Sequence, residues 1–181
     1  MLEQLGIKFT VIPAEVPEIP RKGALPEDEA QRIAWEKAEK VAQKVNEHSV
    51  VISADTLVVI GDRILGKPSS PTEAEDMLKI LAGKWHKVIT GWCVIKRSDN
   101  VVRKGGTESK VFIRELSHEF IKAYVSSGEP MDKAGAYAAQ GIGACMISRI
   151  EGSYTNVVGL PLAEVVCVLE EIEAIRPMSD G

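Results

Sequence analysis

The sequence predicts an α/β fold built on a mixed, twisted sheet with flanking helices. β-Branched apolar runs at 50–60, 87–97 and 101–114 interleave with helically spaced apolar stripes, which is the pattern of strands alternating with helices. Gly61-Asp62 and Ser98-Asp99-Asn100 are turn-forming sequences between strand-like runs, so part of the sheet must be hairpins rather than parallel crossovers. With 181 residues, 45% of them apolar and 27% charged, the chain can bury one sizeable core.

Met1 to Leu5 followed by Gly6 reads as a last helical turn with its glycine cap. Ile7 to Ile12 alternates like a short strand, and Pro13, Pro17, Pro20, Gly23 and Pro26 then make a connection in which no helix can propagate. Pro26 and the acidic Glu27, Asp28 and Glu29 open a helix that runs to about Asn46, since proline suits the first turn and carboxylates suit its positive end. Its stripe is Ala30, Ile33, Ala34, Ala38, Val41, Ala42 and Val45, and Lys37 projects inside that arc. Val50 to Ile60 is a mostly buried strand interrupted by Ser53, Asp55 and Thr56, and Arg63 to Gly66 returns as its hairpin partner. Ser70-Pro71-Thr72-Glu73 is a capping box opening a helix closed by Gly83. Lys87 to Arg97 and Val101 to Arg114 are further strands, with Gly105-Gly106 predicting a bulge or bend. Ser117 caps a short helix ending near Gly128, and 161–175 is a closing amphipathic helix. Six of the 15 glycines fall between Gly128 and Gly159, where backbone must turn repeatedly or approach something closely.

Composition narrows the function. The formal net charge is −4 with no stripe of Lys and Arg, which argues against capture of a nucleic-acid backbone and leaves a small phosphorylated ligand open. No apolar stretch approaches the roughly 20 residues of a membrane span and no leader pattern precedes one, so a cytoplasmic location is expected. Cys93, Cys145 and Cys167 lack metal or redox spacing and are expected as reduced, buried thiols; His48, His86 and His118 are expected as structural or surface residues.

Asp55 is the sharpest candidate for chemistry. Aspartate is a poor strand former, and an isolated buried carboxylate is costly unless it is paired or binds a metal. It either caps a break after Ala54 or serves as general base, metal ligand, or both. Across a two-residue turn Lys67 would stand opposite Thr56, near Asp55 in height although on the other face. Lys37 could complete two ammonium groups and one carboxylate, a set that stabilises polyphosphate and activates water; each lysine could equally lay its stem on apolar surface. Glu15 and Glu18 in the proline-rich connection could hold a divalent cation, which commonly uses one or two protein carboxylates. The usual glycine-rich phosphate cradles are absent from the sequence.

Five ordered motifs extend this reading: Ser53-Ala54-Asp55-Thr56, Gly66-Lys67-Pro68, Asp132-Lys133-Ala134-Gly135-Ala136-Tyr137 with Gln140-Gly141, Gly152-Ser153-Tyr154, and Asn156-Val157-Val158-Gly159-Leu160-Pro161. With them the chain resembles the Maf family over nearly its whole length. The resemblance implies a nucleoside triphosphate pyrophosphatase that uses a divalent cation, Mg or Mn, to release a monophosphate and pyrophosphate. It implies a single domain over 1–181 with two lobes around a central cleft, similar to the inosine triphosphate pyrophosphatases, and a homodimer. Carried over by motif, Asp55 matches the proton acceptor and a metal ligand, Glu18 the loop carboxylate near the metal, and Lys37 and Lys67 the phosphate-contacting lysines. Thr56 and Gln140 match positions associated with base choice, and the S-A-D-T form resembles the dTTP and UTP branch. Family members normally begin with a strand and S-x-S-P-R-R, which this sequence lacks. The resemblance therefore leaves two explanations, a start assigned too late or a truncated and impaired variant, and with the second a rival role as a nucleotide-binding regulator of cell division.

Overall fold

The computed structural model describes residues 1–175. Five strands form one sheet in the order β2-β1-β3-β4-β5, with β1 Val50–Ile60, β2 Arg63–Leu65, β3 Trp85–Lys96, β4 Val101–Ile113 and β5 Ile147–Glu151. The helices are α1 Pro26–Ala42, α2 Pro71–Leu81, α3 His118–Ser126, α4 Tyr154–Val158 and α5 Leu162–Glu171. The expected α/β class holds, and the sheet is antiparallel. Both sequence-marked turns are hairpins, with Ile60 opposite Arg63 in the first and Asn100 in the left-handed region (φ 53°) closing the second. Among the described residues no helix is long and apolar enough to cross a membrane.

The chain divides into two compact units. Among the described residues the first comprises 1–55, 91–106 and 160–175; the second comprises 56–90 and 107–159. Within the first, alternation along β3 separates two faces: Cys93 and Ile95 pack with Ala34, Ala38 and Val41 of α1, while Trp92 and Val94 pack with Val165, Val168 and Leu169 of α5. β1 follows the same rule, Val51 lying with the α1 cluster and Val50 and Ile52 against the α5 cluster. Asp55 shares the parity of Val51, so the alternation of the strand directs it to the α1 face. The alanines of α1 recur every fourth residue, giving a smooth ridge that lets helix and sheet approach closely. Gly91 sits at that contact: a Cβ there would lie 2.2 Å from the Ala30 carbonyl carbon. The second unit has its own core of Val58, Leu78, Leu81, Val88, Val111, Ile113 and Met146, over which α2 and α3 pack.

Several local expectations change. Ile7 to Ile12 is not a strand; among the described residues nothing pairs with its backbone as a ladder, and Val11 is 77% exposed. α1 ends at Ala42 and α5 at Glu171, each short of the apolar stripe that marked it. Ser70 does cap α2 by accepting the Glu73 N–H, but the Glu73 carboxylate reaches back to Ser69 instead of closing the box on Ser70. β4 runs through Gly105-Gly106 without a break, because the missing side chain at Gly105 admits the Trp92 ring, 2.6 Å from where a Cβ would stand. Only Cys93 of the three thiols is buried, and burial pushes its pKa up to about 12; Cys145, in a 3-10 turn, and Cys167, on α5, are exposed. His86 is structural as expected: it is buried, its Nε2 lies 2.7 Å from the Tyr137 hydroxyl, and burial pulls its pKa down to about 4.

Candidate active site

In the first unit the sequence-marked acid and lysine meet. Asp55 is 7% exposed, and the Lys37 ammonium donates to its Oδ1 at 2.6 Å. The same ammonium lies 2.6 Å from Glu18 Oε1 on the proline-rich segment. The helix position follows from packing: Ala34 and Ala38 are fully buried beside Lys37, and Ser53 Oγ donates to the Ala34 carbonyl at 2.5 Å, tying α1 to β1 two residues before Asp55. Burial opposes charge on Lys37, but its bonds to Asp55 and then Glu18 outweigh this and raise its pKa above the usual lysine value. Within this unit the Lys37 ammonium therefore lies between two carboxylates, Asp55 and Glu18. Glu15 contributes its main-chain carbonyl, which accepts from Lys40, rather than its carboxylate.

Two carboxylates converging on one point of positive charge can hold a divalent cation, since magnesium and manganese accept one or two protein oxygens and complete their shell with water and ligand oxygens. Among the described residues no three His, Cys, Asp or Glu side chains converge as a preformed metal cage. Asp55 and Glu18 are the donors that fit.

The other sequence-marked residues belong to the second unit. Lys67 follows β2 and is exposed; its main chain is fixed where the Gly135 N–H donates to the Gly66 carbonyl, docking the 132–137 motif on the Gly66-Lys67-Pro68 turn. Gly135 (φ 69°) is obligatory there, as a Cβ would fall 2.9 Å from Val58 Cγ1. Lys67 acts electrostatically on Asp132, whose carboxyl is held low first by its bond to Lys133. Gln140 is exposed at the start of the 141–146 turn, which Glu129 holds by accepting the N–H groups of Ile142 and Gly143 at 2.9 and 2.8 Å.

Thr56 has a fixed hydrogen-bond polarity. Thr90 Oγ1 lies 3.0 Å from the Asn156 main-chain carbonyl, which can only accept, so the single proton of Thr90 is committed there. The contact of 2.8 Å between the Thr56 and Thr90 hydroxyls then requires Thr56 to donate. Its remaining lone pairs make Thr56 an acceptor toward anything else. Asn156 is itself clamped, donating from Nδ2 to the Val88 carbonyl and to Ser109 Oγ, so the relay stands on a buried polar network.

Sequence reasoning missed three contributors. Glu29 is fully buried and bound to Arg21 and Arg32, although its position in an acidic first turn gave it only a helix-dipole role. Glu129 and Gly91 act through partners far along the chain; for Gly91 the available signal was a glycine in the middle of an apolar strand.

An α/β scaffold with a half-exposed loop carboxylate and a buried strand carboxylate sharing one helix-borne lysine defines a carboxylate-centred site suited to cation binding and water activation. Comparison with known sequences places it more closely: the Maf-like protein model matches residues 1–172, and the chain belongs to that family. A dTTP/UTP pyrophosphatase of Syntrophus aciditrophicus (strain SB) is 46% identical over 180 residues, covering 99% of this chain and 87% of its own length. One from Aquifex aeolicus (strain VF5) is 47% identical over 177 residues, 97% of this chain and 90% of its own. One from Caldicellulosiruptor saccharolyticus (strain ATCC 43494 / DSM 8903 / Tp8T 6331) is 43% identical over 175 residues, covering 95% and 88%.

Proposed function

We propose that this chain hydrolyses dTTP and UTP to the monophosphate and pyrophosphate, with a divalent cation. The carrying observation is a carboxylate 7% exposed within an apolar strand and bonded to a lysine that also holds Glu18. The names of the relatives, at 43 to 47% identity over nearly the whole chain, support the same activity.

In this reading Asp55 accepts a proton from the water that attacks the α-phosphorus, and the bond to the pyrophosphate oxygen breaks. Lys37 orients Asp55 and, with Lys67, offsets negative charge on the phosphate chain. Asp55 and Glu18 would hold Mg or Mn, which when bound withdraws charge from phosphate oxygens and makes water more acidic. Thr56, an acceptor by the relay through Thr90, suits the N3–H donor of uracil and thymine and opposes the N3 lone pair of cytosine. Gln140 is assigned to the base with it. The resemblance adds a homodimer, which a sedimentation measurement checks.

Pyrophosphate release from UTP and dTTP with Mg or Mn tests the activity. Replacing Asp55→Asn abolishes turnover while nucleotide binding persists; retained turnover would remove Asp55 from the chemistry. Binding of nucleotide without any release by the unaltered chain would favour the regulator role.

A further inference from the structure

The segment that carries Glu18 has no regular secondary structure, yet its backbone is fastened to α1 on both sides of that residue. Arg32 donates from Nη2 to the Ile19 carbonyl at 3.1 Å, and the Arg21 main-chain N–H donates to Glu29 Oε2 at 2.7 Å. Lys40 donates to the Glu15 carbonyl. Glu29 is the hub: it is fully buried, accepts from Arg21 Nε at 2.7 Å, and faces Arg32 Nη2 at 2.8 Å. Arg32 is held from its other side by Glu36 at 2.8 Å. Pro17 and Pro20 bracket Glu18 and Ile19 and restrict the backbone between these fastenings. The result is a short stiff strap whose one inward carboxylate meets Lys37.

We propose that Glu29 is a positioning residue: with Arg32 it fixes the strap on α1 and so places the Glu18 carboxylate at Lys37. A buried acid gripped by a planar guanidinium fork supplies directional bonds that a solvated loop charge could not. That Glu18 in turn serves the cation rests on the function proposed above.

A double-mutant cycle of Glu18→Gln and Glu29→Gln decides this, read first by the alkaline titration of the Lys37 ε-carbon in lysine-labelled protein, assigned by its loss in Lys37→Arg. Each single change lowers the titration midpoint, and the double variant lies no lower than Glu18→Gln alone, because both remove one contact. Free Mn2+ measured by electron paramagnetic resonance gives the same pattern, with affinity about tenfold weaker in either single variant and no weaker in the double. Additive effects, or an unchanged Lys37 titration in Glu29→Gln, overturn the proposal. Should Glu29→Gln fail to fold, Arg21→Met keeps the main-chain bond and produces a smaller shift of the same sign; no shift refutes the strap. If the unaltered protein releases no pyrophosphate, or Glu18→Gln leaves Mn2+ binding intact, the functional reading fails while the Lys37 cycle still judges the clamp.

Discussion

Replacing Lys37→Met leaves Asp55 and Glu18 without the ammonium they share. At 2.6 Å two unit charges attract by about 6 kcal/mol at an effective dielectric near 20, and desolvation of the lysine offsets part of this. Removing one partner of a buried pair costs about 3 to 5 kcal/mol; the lower end applies here because Glu18 is 35% exposed and its share is screened. For a chain of this size about 3 kcal/mol lowers Tm by roughly 6 to 12 °C. The pH dependence has a definite sign. Lys37 binds its proton more tightly folded than unfolded, so its stabilisation is complete below the unfolded value near 10.5 and is lost as pH rises through the raised folded value. Thermal melts from pH 7 to pH 11 should therefore show an alkaline decline in the parent protein that is weaker in Lys37→Met. A divalent cation should raise the Tm of the variant more than that of the parent, since two uncompensated carboxylates face one another. A Tm within 2 °C of the parent, with an unaltered alkaline limb, would refute the view that Lys37 holds these two acids together.

Three further outcomes are expected. Gly91→Ala places a methyl 2.2 Å from the Ala30 backbone and displaces α1, costing about 1 to 3 kcal/mol in urea unfolding and lowering turnover through the Lys37 to Asp55 contact. Thr90→Val frees the Thr56 hydroxyl to donate, so the preference for UTP over CTP, measured as a ratio of kcat/KM, falls about tenfold, whereas Thr90→Ser retains it. His86, held down to about 4 by burial, is neutral when folded, so stability is complete above the unfolded value of 6.5 and declines as pH falls toward 4; His86→Gln removes up to roughly 3 kcal/mol of that slope in unfolding experiments.

Much of this was legible in the chain. Asp55 within an apolar run and Lys37 within an apolar arc each broke a local pattern, and in the structure the two side chains bond to each other. The strands and caps followed from turn chemistry and β-branching, as at Ser70 and Ser117, whose hydroxyls accept as expected. What stayed hidden was long-range. Glu29 broke no rule, because an acid in a first turn is already explained by the helix dipole, and its arginines are identified only by where the strap lies. Ile7 to Ile12 has a strand-like alternation, but a strand also needs a neighbour, and alternation does not say whether one is there. That Glu18 also bonds Lys37 stayed hidden because the two are 19 residues apart in sequence and meet only through a non-helical segment.

The three-point fastening of residues 15–21 has a consequence for energetics. A loop that must condense around its ligand surrenders conformational freedom at the moment of capture, and affinity is weakened accordingly. Here that ordering is accomplished during folding, ahead of any encounter, so isothermal calorimetry of cation or nucleotide should show little of the entropic penalty that accompanies a disorder-to-order transition.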